Sequence, residues 1–197
     1  MTSEVSTGRA NQKLRTRNAI VDATRGLIRS GSDITMPAVA RAAMVSEATA
    51  YRYFPDLVSL LREAVAHDIP SPEEALAPVA ASQDPVERIR YATEYLLRET
   101  LSREGAVRAM ISASVVRPEA SGLRPVRRFG LIDEALAPLA ATADPDAIDQ
   151  LKRDLAVIVS AEALFNLIDL CGLDPEAAIR SAAHTACVVT SAACSAS

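Results

Sequence analysis

The segment from Thr35 to Pro55 constrains this chain most, because it sets two helix starts only eleven residues apart. Thr35 can cap a helix, and Pro37 fits its first turn, where a missing N–H costs nothing. Ala38, Val39, Ala40 and Ala43 follow, so the pattern predicts a short helix over about Met36–Ala43. Ser46 offers a second cap directly before Glu47, an acid suited to the positive end of a helix. That segment runs to Tyr53 and Phe54 before Pro55 interrupts it. A longer stretch, Leu14–Ser30, precedes the pair, with Leu14, Ile20, Val21, Ala23, Leu27 and Ile28 near helical spacing and Gly31 as a stop. Asp56 can cap a fourth helix, whose stripe of Leu57, Leu60, Leu61, Ala64 and Val65 ends near His67 and Asp68.

Composition agrees with helices throughout. Of 197 residues, 49% are hydrophobic and 23% charged, with four Tyr, three Phe and no Trp. Abundant Ala, Leu and Arg with few aromatics favours helix over strand, so an all-α fold is expected. A chain of this length buries roughly 70% of its unfolded surface and needs no staple or metal to hold a core. Pro70 and Pro72, with Ser71 between them, mark the best boundary, which divides the chain into 1–68 and 69–197. Further helices are expected at about Pro85–Leu101, Glu104–Val116, Ser121–Ala140, Pro145–Cys171 and Pro175–Ala193. Cys171, Cys187 and Cys194 form an odd, sparse set, which suits thiols in a reducing compartment better than disulfides. The first residues are polar, and no uncharged run reaches the ~20 apolar residues of a membrane span. The expectation is a cytoplasmic protein with no membrane partner.

Net charge is −4, but it is unevenly placed. Residues 1–62 carry nine Arg and Lys against five acids, net +4, and the remainder carries twelve against twenty, net −8. A basic front segment on an acidic body suits a chain in which one part meets a polyanion. The residue types of the second short helix agree. Ser46, Thr49, Tyr51 and Tyr53 are donors for phosphate oxygens, and Arg52 adds a cation. Helix starts after Thr35 and Ser46 present backbone N–H groups, and the small Ala48 and Ala50 allow close approach. Two short helices behind a longer one fit a helix-turn-helix. The competing reading makes Tyr51, Tyr53 and Phe54 core aromatics, and Val39, Val45 and Phe54, with Tyr51 as a further candidate, are expected partly or wholly in the core in either case.

At Ile34–Phe54 the sequence resembles the DNA-binding signature of the TetR family of transcriptional repressors. The shared points are an Ala in the second helix, the Val45-Ser46 entry, Thr49 three residues on, and the ending Tyr51-Arg52-Tyr53-Phe54. The close match covers about Arg15–Ala64, and the rest is similar only in helix number and lengths. The resemblance implies an N-terminal three-helix DNA-binding domain and a C-terminal helical domain for ligand binding and dimerisation. It assigns Arg15, Arg17, Thr35, Ser46, Glu47, Ala48, Thr49, Tyr51, Arg52 and Tyr53 to DNA. Two residues depart from the family. Met44 stands where Gly is usual, at a cost of about 1 kcal/mol if its backbone is left-handed. Leu57 stands where Lys often contacts phosphate, so Arg15, Arg17 and Arg52 are expected to carry more of that role.

Between Leu155 and Leu170 only Glu162 and Asp169 are charged, and apolar residues occupy more than one face of the expected helix. Such a helix must be covered on both sides. With the small residues of the last helix this predicts a two-fold, four-helix interface built from Leu155, Ile158, Glu162, Phe165, Ala178, Ala182, Ala186 and Val189. A monomer whose other helices cover both faces is the alternative. The resemblance then implies a homodimer on a near-palindromic operator, half-sites ~34–36 Å apart, released by a small-molecule effector. Candidate pocket residues are His67, Tyr91, Tyr95, Met110, Phe129, Phe165 and Asn166, each of which can equally be core or interface. Two histidines and no Gly-rich loop, HExxH or GxSxG motif leave no legible catalytic set, and neither metal nor cofactor is expected. A DNA-independent helical adaptor and a thiol-based redox-sensing regulator remain open as alternatives.

Overall fold

The computed structural model describes residues 3–66, 70–116 and 127–196. Among these the fold is all-helical: α1 (Ser3–Ser30), α2 (Met36–Ala42), α3 (Glu47–Tyr53), α4 (Leu57–Ala66), α5 (Pro72–Ala75), α6 (Pro85–Ser102), α7 (Glu104–Val116), α8 (Arg127–Ala140), α9 (Pro145–Ile158), α10 (Ala161–Asp169) and α11 (Pro175–Ala196). A short 3₁₀ turn, Ala77–Val79, follows α5. No described helix is long and apolar enough to cross a membrane.

The chain forms two compact units, Met1–Ile69 with Arg103–Pro125, and Pro70–Ser102 with Val126–Ser197. The sequence boundary after residue 68 grouped α7 with the body, whereas α7 packs on α4 in the first unit. The physical reason lies in its apolar side: Ala106 and Met110 are buried in the same core as Ile20, Val39, Phe54, Leu60 and Leu61.

The first unit is shaped by its helix ends. At Gly31, with φ +66°, Gly31 N–H donates to Ile28 O and Ser32 N–H to Leu27 O, the paired bonds that close a left-handed helix stop. The same pair recurs at the end of α2, where Met44 N–H donates to Arg41 O and Val45 N–H to Ala40 O. Asp56 caps α4 by accepting from Ser59 N–H at 2.7 Å. Phe54 ends α3 in extended conformation (φ −134°, ψ 104°), as the following Pro55 demands. Helix α1 begins eleven residues before the expected Leu14.

The second unit is built on α6, which packs against α8 and α11, with α9 completing the layer. Ile89, Leu131, Ile132, Leu136, Leu151, Leu155 and Ala186 form its core. Pro138 lies inside α8 and removes the N–H that would bond the Glu134 carbonyl. Arg88, 3% exposed, supplies the missing donor: its Nη2 reaches Glu134 O at 2.6 Å and Glu134 Oε1 at 3.0 Å. Its Nε donates to Ala135 O and its Nη1 to Val79 O and Ala80 O, so one buried arginine ties α6, α8 and the 3₁₀ turn together.

Two expectations need correction. Ser71 does more than separate two prolines: with Glu74 it forms a reciprocal capping box that starts α5. The single helix expected over Pro145–Cys171 is two. Val159 (φ −82°, ψ 65°) is the centre of an inverse γ-turn closed by Ser160 N–H to Ile158 O at 2.9 Å, and Ser160 then caps α10 through Ala163 N–H. No single helix apolar all round spans this stretch, because the chain breaks at Val159 and restarts at Ser160.

Candidate nucleic-acid interface

The residues predicted to face DNA divide into an exposed set and a tethered set. Ser46, Glu47, Ala48, Tyr51 and Arg52 are exposed along α3, Thr35 is exposed at the start of α2, and Arg15 is exposed on α1. Tyr51, at 48% exposure, is not a core aromatic, whereas Val39 and Phe54 are buried and Val45 packs on the same core. Tyr53 is half-buried against that core, with the Arg52 guanidinium 5.5 Å from its ring centre.

Capping occupies part of the polar set. Thr35 Oγ1 accepts from Ala38 N–H at 3.2 Å, and Ser46 Oγ accepts from Thr49 N–H at 3.1 Å. The Ser46 and Thr49 hydroxyls also bond each other at 2.9 Å, so only one proton of that pair is left for an outside acceptor. Arg17 is tethered: it pairs with Glu63 and its guanidinium lies 4.6 Å over the Phe54 ring. Its expected phosphate contact therefore competes with Glu63, because a cation already matched by a carboxylate releases little on meeting a phosphate.

What the sequence reading missed lies one turn earlier on α1. Gln12, Lys13 and Thr16 join Val45, Thr49, Arg52 and Tyr53 around a groove of about 620 Å³. No acid lines it, and Lys13, Arg15 and Arg52 have no ion-pair partner among the described residues. The signal was present as Lys13 spaced two residues before Arg15, but only folding brings it beside Arg52.

The turn between α2 and α3 carries Met44 at φ +55° and 93% exposed, the left-handed position at which glycine was missed in the sequence. Leu57, where a phosphate-binding Lys was absent, packs on the core.

The effector candidates are divided between the two units. Met110 is buried in the first unit, Phe165 in the second, Phe129 and Asn166 are exposed, and His67 lies outside the described residues. Tyr91 and Tyr95 stack at 6.4 Å on α6, and Arg127 Nη2 donates to Tyr95 Oη at 2.9 Å while its buried Nε has no acceptor among the described residues. Among the proposed interface residues, Leu155, Phe165, Ala178, Ala182 and Ala186 are buried in the chain's own core. A partner cannot cover surface that is already covered, so these five are corrected to core. Ile158 and Val189 are half-buried, and Glu162 is exposed beside Arg128 at 3.7 Å. Among the described residues no group of three His, Cys, Asp or Glu is placed to hold a metal ion.

The sequence matches no protein-family model, and no curated protein is significantly similar to it.

Proposed function

We propose that this chain is a sequence-specific DNA-binding regulator, with α2 and α3 acting as a helix-turn-helix and α3 entering the major groove. The observation that carries this reading is the exposed face of α3 beside an acid-free groove that holds Lys13 and Arg52 without carboxylate partners. Tyr51 and the Ala48 methyl would meet base edges, while Lys13, Arg15, Arg52 and the hydroxyls of Thr35 and Thr49 position the duplex through phosphates. The likeness of Ile34–Phe54 to TetR-type repressors supports the same assignment and favours repression.

Such a regulator acts as a homodimer on a near-palindrome. In this reading the partner covers exposed apolar side chains of α9 and α11, Val157 and Val188, with Ile158, Glu162 and Val189 beside them. A small-molecule effector would act on the second unit, with the open Arg127 Nε and the Tyr91 and Tyr95 rings as its first candidate contacts.

The test is selection from a pool of random duplexes, wild type against Tyr51→Ala. Tyr51 is the better probe than Tyr53, whose loss would also disturb the core. Recovery of a near-palindrome that the variant fails to enrich is the expected result. No enrichment at low salt by folded protein would overturn the assignment and favour a DNA-independent adaptor.

A further inference from the structure

The first unit holds a second cleft, of about 550 Å³, which shares no lining residue with the basic groove. It runs between the start of α2, the Pro55–Val58 turn and α7. Its size is that of sites for small organic molecules. Met36, Pro37, Leu57 and the alanines of α7 make most of its wall apolar, and its polar groups are few. Among the described residues Asp56 is the one charged side chain in the lining, which holds no Lys, Arg or His. Its Oδ1 is committed to capping α4 through Ser59 N–H, while Oδ2 makes no hydrogen bond among the described residues. Tyr51 offers a half-exposed ring, and Ser112 a hydroxyl.

A free carboxylate oxygen, an accessible aromatic ring and an apolar wall together select one ligand chemistry. An ammonium head is drawn to the carboxylate and to the ring face, and an apolar body is drawn to the wall. An anion of the same shape is repelled by Asp56, and the amino ends of α2 and α4 that could attract it are partly satisfied by the Thr35 and Asp56 caps. We propose that this cleft binds a small organic cation, an amine carrying an apolar or aromatic body. The site belongs to the first unit and does not depend on the DNA assignment. Where that assignment holds, Thr35 and Tyr51 serve both surfaces, so the bound cation and the duplex compete for Tyr51.

The test uses the full chain without DNA. Phenethylammonium is titrated by calorimetry against phenylacetate, its counterpart of opposite charge, and again with Asp56→Asn and Tyr51→Ala. Asn caps helices as well as Asp does, so Asp56→Asn removes charge while keeping α4. Saturable binding of the cation alone is expected, weakened about fivefold by each substitution. Equal binding of the two probes, no binding of either, or cation binding that Asp56→Asn leaves unchanged would each overturn the proposal. DNA enrichment is read in a separate experiment, so its failure would leave this result standing.

Discussion

Met44 shows how much one backbone position can carry. The bonds from Met44 and Val45 to Arg41 and Ala40 require a left-handed residue between α2 and α3, and a β-carbon makes that conformation costly. Its side chain is exposed and contributes no packing to offset the cost. Met44→Gly is therefore expected to stabilise the protein by about 1 kcal/mol, seen as a rise of about 2–4 °C in the melting temperature. A fall would mean that the turn relaxes in solution. The cations make a second contrast. Lys13→Ala should reduce the slope of log K against log salt by about 0.9, because one phosphate contact is lost. Arg17→Ala should leave that slope unchanged and lower thermal stability instead, since it strips Glu63 and Phe54 of their partner. Cys194 bears on the thiol alternative. Burial, helped by the nearby Asp84 charge, pushes its thiol above the ordinary cysteine range. Only the thiolate reacts, so at pH 8 iodoacetamide should label exposed Cys171 well before Cys194, with Cys194 labelling rising as pH increases. Equal rates in peptide mass spectra would return Cys194 to the list of sensor candidates.

Helix α8 depends on a residue outside itself. Pro138 leaves the Glu134 carbonyl without its helical donor, and Arg88 of α6 fills the place while keeping every guanidinium N–H paired. Arg88→Met should cost about 3 kcal/mol in chemical denaturation, as several charged hydrogen bonds are lost from a buried site. The cost should shrink by about 1 kcal/mol in a Pro138→Ala background, where α8 satisfies Glu134 unaided. Additive costs would show that the two residues are independent. The break between α9 and α10 rests on similarly local bonds. Ser160 is buried, donates to Val157 O and accepts from Ala163 N–H, so Ser160→Ala should destabilise by about 1 kcal/mol.

The division into two units follows where the apolar sides of the helices find partners. Chain order would place α7 with the body, yet its buried Ala106 and Met110 share a core with α1, α2 and α4. Self-association, if it follows the proposed function, must use surface left over after both cores are built. Val157→Glu with Val188→Glu should then convert a dimer to monomer in sedimentation without lowering the melting temperature of the chain. A wild-type monomer at the concentrations used for DNA selection would remove the two-fold element of the proposal. Helix type and most boundaries were legible because caps, prolines and stop glycines act within one turn: Thr35, Ser46, Asp56 and Gly31 all work as the sequence indicated. The strain at Met44 was legible for the same reason. The break at Val159 was hidden because neither Gly nor Pro marks it, and a serine at that spacing is equally at home inside a helix. Burial was harder still. An apolar face records only that something covers it, so Leu155 and Ala186 read as interface until α6 and α8 were seen to cover them. The same limit governs charge: Lys13, Arg15 and Arg17 are alike in sequence, and only packing brings Glu63 to Arg17 and leaves Lys13 open beside Arg52.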